Sequence, residues 1–154
     1  MMDLCSRRFS IYYVSTDTTA TVRLIDGKFP DYRAVVNGAS YPIVNTMRAA
    51  ELQGALKVCS AIVSDIANCV KFSFKNGQSV LYAHNPDQGD VETSVGASHQ
   101  GEELEINFNP KYFLDCLNQV EGEVEIRLKA ANGPCLITPA GDENCKWVIM
   151  PMRF

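Results

Sequence analysis

Two stretches of this chain repeat the same order of apolar and polar positions. In the first, Tyr41-Pro-Ile-Val44 is a short apolar run that predicts a strand. Leu52, Leu56, Cys59 and Val63 then recur at i, i+4, i+7 and i+11, one stripe of a helix that Asn45 or Thr46 would cap and that runs to about residue 63. Arg48, Glu51, Lys57 and Ser60 lie off the stripe. Three strands follow, over 69–75, 78–84 and 90–98, with Asn76-Gly77 as a two-residue hairpin turn. In the second stretch, 103–108 alternates as a strand and Asn109-Pro110 is a helix start, Asn as cap and Pro at the first helical position. Phe113, Leu114, Leu117 and Val120 face inward, Lys111, Asp115 and Asn118 face away, and Glu121-Gly122 stops the helix. Strands over 123–129, 135–138 and 145–150 complete the set, with Asn132-Gly133 turning between the first two.

The pattern is strand-helix-strand-strand-strand, twice, although the two stretches share no visible sequence similarity. It predicts an α+β fold with two helices side by side, backed by antiparallel sheets. Ahead of it, residues 9–25 read as a hairpin with Thr16-Asp17-Thr18 at the turn. A lone hairpin is marginal in water, so this one is expected to be the last two strands of a preceding, incomplete domain. Its unpaired edge would leave Ile11, Tyr13, Val22 and Leu24 as apolar surface. The segment 36–40 reads as a linker, dividing the chain into 1–38 and 39–154. At the other end, Trp147-Val-Ile-Met150 reads as a strand, and Pro151 removes a ladder donor. The apolar ending Met150-Pro-Met-Arg-Phe154 predicts a docked terminus and, as the sharper alternative, one wall of a peptide groove.

Composition narrows the function classes. The chain has 154 residues, 46% hydrophobic and 21% charged, with a net charge of −4. No apolar run reaches the ~18 residues that span a bilayer, and the N-terminus lacks a signal-peptide pattern. A cytoplasmic location without membrane contact is expected. The six cysteines are scattered without CxxC spacing, so they read as reduced, mostly buried thiols rather than zinc ligands. No metal or cofactor is expected. GxSxG, P-loop and metal-ligand spacings are all missing. His84 and His99 lie in or beside strands with no nucleophile motif, and Asp87, Asp90 and Glu92 form an acidic turn that reads as solvated. An enzyme is therefore not expected.

Four short motifs, in order, carry a resemblance. Asp26-Gly-Lys-Phe-Pro-Asp-Tyr-Arg33 resembles the connector between the second and third domains of the bacterial sliding clamp, the β subunit of DNA polymerase III. Leu81 to Pro86, ending in Ala-His-Asn-Pro, is similar to that family's central hairpin region. Gly101-Glu-Glu-Leu-Glu-Ile-Asn-Phe-Asn109 with Tyr112-Phe-Leu-Asp115 resembles its second-helix signature, and Met150-Pro-Met-Arg153 its C-terminal ending. The resemblance implies the DNA-clamp fold, two βαβββ halves per domain, with two subunits closing head-to-tail around duplex DNA. Such a ring is non-catalytic. It holds the polymerase on its template, binds DNA weakly and without sequence preference, and recruits partners. The implied partners are the polymerase III catalytic subunit, the clamp loader, other polymerases, ligase and mismatch-repair proteins, all through short apolar motifs.

Carried over position by position, the resemblance implies a peptide groove with Pro30, Val35, Asn109, Tyr112, Met150, Pro151, Met152, Arg153 and Phe154 as walls and Asn132 and Pro134 at the rim. Arg48, Lys57 and Lys111 are expected to share one DNA-facing surface. Ile62 and Val63 are the implied subunit contact. There are departures. The family's first domain and the front of its second have no counterpart here, Arg33 is followed by Ala34 where two basic residues are usual, and 65–69 lacks basic residues. A chain cut in this way is expected to be a fragment or truncated product, unable to close a ring by the family's route. The alternative is a stand-alone interaction module that binds clamp-binding peptides or clamp subunits without encircling DNA.

Overall fold

The computed structural model describes residues 3–7, 10–14, 19–23, 32–36, 40–63, 68–142 and 144–153. The chain divides into two compact units, Met1–Asp31 and Tyr32–Phe154.

The first unit is a three-stranded antiparallel sheet of β1 (Asp3–Arg7), β2 (Ser10–Val14) and β3 (Thr19–Arg23), in that order. The hairpin is β2–β3, with Ser10 opposite Arg23 and Val14 opposite Thr19. β1 was not anticipated. It pairs Asp3 with Val14 and Arg7 with Ser10, so β2 is a central strand and not an open edge. Leu4-Cys5-Ser6 carries little β signal of its own, and the pairing comes from the neighbouring strand. Val22 is exposed, and Leu24 lies outside the described residues.

The second unit opens with a five-residue helix, α1 (Tyr32–Val36), inside a stretch that reads as connector and linker. There follow β4 (Ile43–Arg48), α2 (Ala49–Ser60), β5 (Val70–Lys75), β6 (Gly77–Asn85) and β7 (Gly89–Gln100). The same order returns as β8 (Leu104–Phe108), α3 (Pro110–Leu117), β9 (Glu123–Leu128), β10 (Cys135–Pro139) and β11 (Trp147–Ile149). Instead of separate sheets, the strands form one eight-stranded antiparallel sheet, β11-β10-β9-β4-β7-β6-β5-β8. The first strand of each half has crossed to the other half. β4 pairs with β9, and β8 pairs with β5.

Strand alternation sets the core. Ile43 and Met47, Val70-Phe72-Phe74, Ile106 and Phe108, and Val124-Ile126-Leu128 are buried at alternate positions. The helices close over them with Leu52, Leu56 and Cys59 of α2 and Phe113, Cys116 and Leu117 of α3. Phe72 is the hub, with ring centroids 5.8, 5.5 and 4.9 Å from Phe74, Phe108 and Phe113.

The start of α2 differs from the sequence expectation. Asn45 and Thr46 remain in β4, where Asn45 is opposite both Ile126 and His99. The Asn45 Oδ1 lies 2.6 Å from His99 Nδ1, so the side chain that could have capped a helix is used in a cross-strand pair. Arg48 occupies the cap position without a side-chain bond, and the Ala49 N–H donates instead to Gly122 O at 2.9 Å. That bond also sets α2 antiparallel to α3, because α2 begins where the chain leaving α3 turns into β9. Val63, the last residue of the predicted stripe, lies beyond the helix and packs half-buried on the core.

Gly101, between β7 and β8, has φ +101°, and a Cβ there would meet Pro42 O at 2.6 Å. Gly101→Ala is expected to destabilise the unit by roughly 1–3 kcal/mol, read as a lower urea midpoint at unchanged slope.

Candidate functional site

The site is built where several elements end together. Ile43, Leu128, Cys135 and Ile149 form one row across β4, β9, β10 and β11. Past that row, the chain leaves the sheet as Met150 on one side and enters it as Pro134 on the other. Tyr41, two residues before the row, donates its hydroxyl to Val35 O at 2.9 Å and so ties α1 to the same end of the sheet. Burial pushes the Tyr41 hydroxyl above its ordinary value, with the Cys135 thiol as a second contributor.

β11 stops at Ile149, and Pro151 two residues on has no N–H to continue the ladder. Met152 N–H instead donates to Asn107 O of β8 at 2.8 Å. The terminus is docked, as its apolar composition predicted, and the bond joins the two ends of the eight-stranded sheet. The same β8 runs into α3. There Asn109 Oδ1 accepts from Lys111 N–H at 3.0 Å, and Pro110 occupies the first turn. Asn109→Ala should cost about 1 kcal/mol of stability, seen as a small fall in urea midpoint; no change would remove the capping role.

Between α3 and β11 lies an apolar cavity of about 450 Å³, lined by Tyr112, Asp115, Cys116, Trp147, Val148, Ile149 and Met150. Tyr112 and Met150 are 56% and 60% exposed, unusual for residues of their size, and they stand on opposite walls. Asp115 adds an exposed carboxylate. The arrangement suits an apolar side chain from a partner, with a few polar groups to orient it.

Of the residues expected to form a groove, Tyr112 and Met150 line this cavity. Asn109, Pro151, Met152 and Arg153 flank it in the chain, Arg153 exposed and the others half-buried. Val35, Asn132 and Pro134 belong to the same end of the sheet but are not in the lining. Pro30 and Phe154 lie outside the described residues. The sequence reading missed Asp115, Cys116, Trp147, Val148 and Ile149. A signal existed: Asp115 and Cys116 are i+3 and i+4 from Tyr112, and Val148 alternates with Met150.

Lys57 Nζ donates to Gln53 Oε1 at 3.3 Å, and Gln53 Nε2 donates to Asn118 Oδ1 just beyond α3 at 2.6 Å. Lys57 therefore lies on the flank of α2 toward α3, where Lys111 is exposed. Arg48 lines a cleft with Glu51, Gly96, Ala97 and Ser98, and faces Glu51 at 3.9 Å. Ile62 and Val63 are half-buried against the core, and Asn85 Nδ2 donates to Ile62 O at 2.5 Å. Among the described residues, no group of three or more His, Cys, Asp or Glu is placed to hold a metal, and no helix is long and apolar enough to cross a membrane. His84 and Asp90 form an exposed cross-strand pair, their Nδ1 and Oδ1 2.5 Å apart.

Comparison with known proteins bears on this geometry. Residues 40–153 match the family model described as DNA polymerase III beta subunit, C-terminal domain. The beta sliding clamp of Haemophilus influenzae is 38% identical over 139 residues, covering 90% of this chain and 38% of that protein. That of Chlamydia muridarum is 34% identical, with 90% and 37% covered. The crystal structure of a Pseudomonas aeruginosa sliding clamp with ligand superposes with a TM-score of 0.80 at 27% identity, over 99% of this chain and 42% of that one. A Bartonella birtlesii sliding clamp bound to griselimycin gives 0.81 at 29%, over 99% and 41%. The chain thus spans about two fifths of the length of these relatives.

Proposed function

The chain belongs to the DNA polymerase III beta subunit family, and from that premise we propose that it serves as the partner-binding end of a sliding clamp. The cavity between Tyr112 and Met150 carries the reading. It takes the apolar side chains of a short linear motif borne by the polymerase III catalytic subunit, the clamp loader, other polymerases, ligase or mismatch-repair proteins. Asn109, Arg153 and Asp115 orient the motif backbone, Pro151 and Met152 extend the floor, and Val35, Asn132 and Pro134 form the rim. The protein acts in the cytoplasm as a non-catalytic subunit.

The two helices present Arg48, Lys57 and Lys111 against Glu51 and Asp115. So small a cationic excess suits weak, sequence-independent contact with duplex DNA threading a ring, because affinity grows with the number of phosphates neutralised. Ile62 and Val63, half-buried at the end of α2, form the contact to a second subunit. Residues 1–38 stand as the remnant of the preceding domain, and 39–154 as the C-terminal clamp domain.

One observation favours a second reading. The described cavity lies wholly within the unit Tyr32–Phe154, so a stand-alone module could bind clamp-binding peptides without encircling DNA. A titration with a labelled Gln-Leu-x-Leu-Phe peptide, with light scattering on the same sample, separates the two. Saturable binding by a monomer supports the module. Binding that appears only with assembly supports the ring, and failure in every assembly state removes the peptide-site reading.

A further inference from the structure

Among the described residues that line the cavity between α3 and β11, Asp115 alone carries a charge. Its carboxylate is exposed and makes no hydrogen bond or ion pair with any described residue. Lys111 is four positions earlier on α3, but a lysine ahead of an acid is the weaker order for such a pair, and the two form no ion pair. Lys146 precedes Trp147 in the chain and is absent from the lining. Tyr112 lies one turn before Asp115 on the same face of α3, and Trp147 enters the lining from β11. One unpaired carboxylate and two large rings thus share a cavity with the apolar side chains of Val148, Ile149 and Met150.

This lining is mismatched to an occupant that is apolar throughout. Filling the cavity with such a segment would take water from the Asp115 carboxylate and leave the charge without a partner, which is unfavourable. A cation brought by the occupant removes the mismatch. Arginine suits all three components of the lining. Its guanidinium bonds a carboxylate through two parallel N–H groups, it stacks on tyrosine and tryptophan rings, and its methylene stem packs on apolar side chains. Lysine supplies the charge and the stem but not the planar fork.

We propose that the cavity recognises an arginine side chain of the partner segment, with Asp115 as its counter-charge, Tyr112 and Trp147 as its ring contacts, and Val148 and Met150 against its stem. The inference rests on the peptide reading and adds to it the charge of the partner. Segments with an arginine in or beside the apolar motif are selected over neutral ones, because only they leave Asp115 paired once water is excluded.

The full chain is titrated with labelled Gln-Leu-x-Leu-Phe peptides that carry arginine before the motif, at x or after it. The same three peptides are made with citrulline, which keeps the shape of arginine and lacks its charge. The backbone is identical within each pair, so the comparison isolates the head group. Anisotropy reads affinity, and the emission of Trp147, the chain's single tryptophan, reports occupancy at the cavity itself. At one placement or more, arginine is expected to bind roughly tenfold tighter than citrulline and to shift the Trp147 emission. Asp115→Asn, a near-isosteric change at an exposed position, should cut that advantage to under about twofold, and high salt should weaken it in the unchanged chain. Equal affinity for arginine and citrulline at every placement, or an arginine advantage that survives Asp115→Asn, overturns the recognition and leaves the peptide site standing. Failure of every peptide, charged or neutral, removes the peptide reading and the recognition with it.

Discussion

Met150→Asp is expected to weaken binding of a motif peptide by on the order of 10²-fold, a loss of about 2–4 kcal/mol typical of a central interface anchor. Met150 is 60% exposed in the free chain, so aspartate there meets water and leaves the fold intact. The cost arises in the complex, where the peptide would strip water from a carboxylate held in an apolar cavity. Tyr112→Ala, on the facing wall, should lose a similar amount through lost contact area alone. Lys75→Glu, exposed at the end of β5 and absent from the lining, is the control. Fluorescence anisotropy reads the affinity, and a urea titration confirms that all variants unfold alike. Unchanged affinity in both groove variants, with the fold intact, would remove the cavity as the peptide site.

Phe72→Ala should destabilise the second unit by about 3–5 kcal/mol, a large part of what a domain of this size possesses. Phe72 is fully buried on β5 and touches three other rings, from β5, β8 and α3. Its removal leaves a void where the sheet meets α3, the helix that carries Tyr112 and Cys116. Neighbouring rings on rigid strands cannot collapse into it. The check is the urea midpoint by circular dichroism. A loss under about 1 kcal/mol would mean that the aromatic hub is not the keystone of the core. Peptide affinity of the surviving folded fraction separates this effect from that of Met150→Asp.

Much of the architecture was legible in local chemistry. Asn76-Gly77 gives a two-residue turn, and Lys75 is indeed opposite Gln78 with Gly77 at φ +84°. Asn109-Pro110 opens α3 as capping chemistry requires. Pro151 ends the last ladder because it has no N–H. These are decisions between adjacent residues, and no distant partner was needed to make them. Where local signals failed, a non-local partner had outvoted them. Asn45 and Thr46 carry helix-capping side chains, but β9 and β7 hold both in the sheet, and α2 starts at Ala49 over an uncapped Arg48. β1 exists because β2 pairs with it. α1 is too short to show a period.

The candidate site divides along the same line. Met150, Pro151 and Met152 stood out as an apolar ending, whereas Tyr112 entered only through the resemblance. Alternation and helical phase tell which face a side chain takes, and that much follows from the covalent geometry of strand and helix. They do not tell which strands become neighbours. The crossing of β4 and β8 between halves, the backbone bond from Met152 to Asn107, and the meeting of Tyr112 and Cys116 with Trp147 to Met150 around one cavity all depend on that choice. Strand order is settled by burying every apolar face at once. A cooperative property of the whole sheet is not written in any window of residues. The order of elements, their turns and their inward faces were thus set locally, whereas the cavity exists only once the eight strands have found their partners.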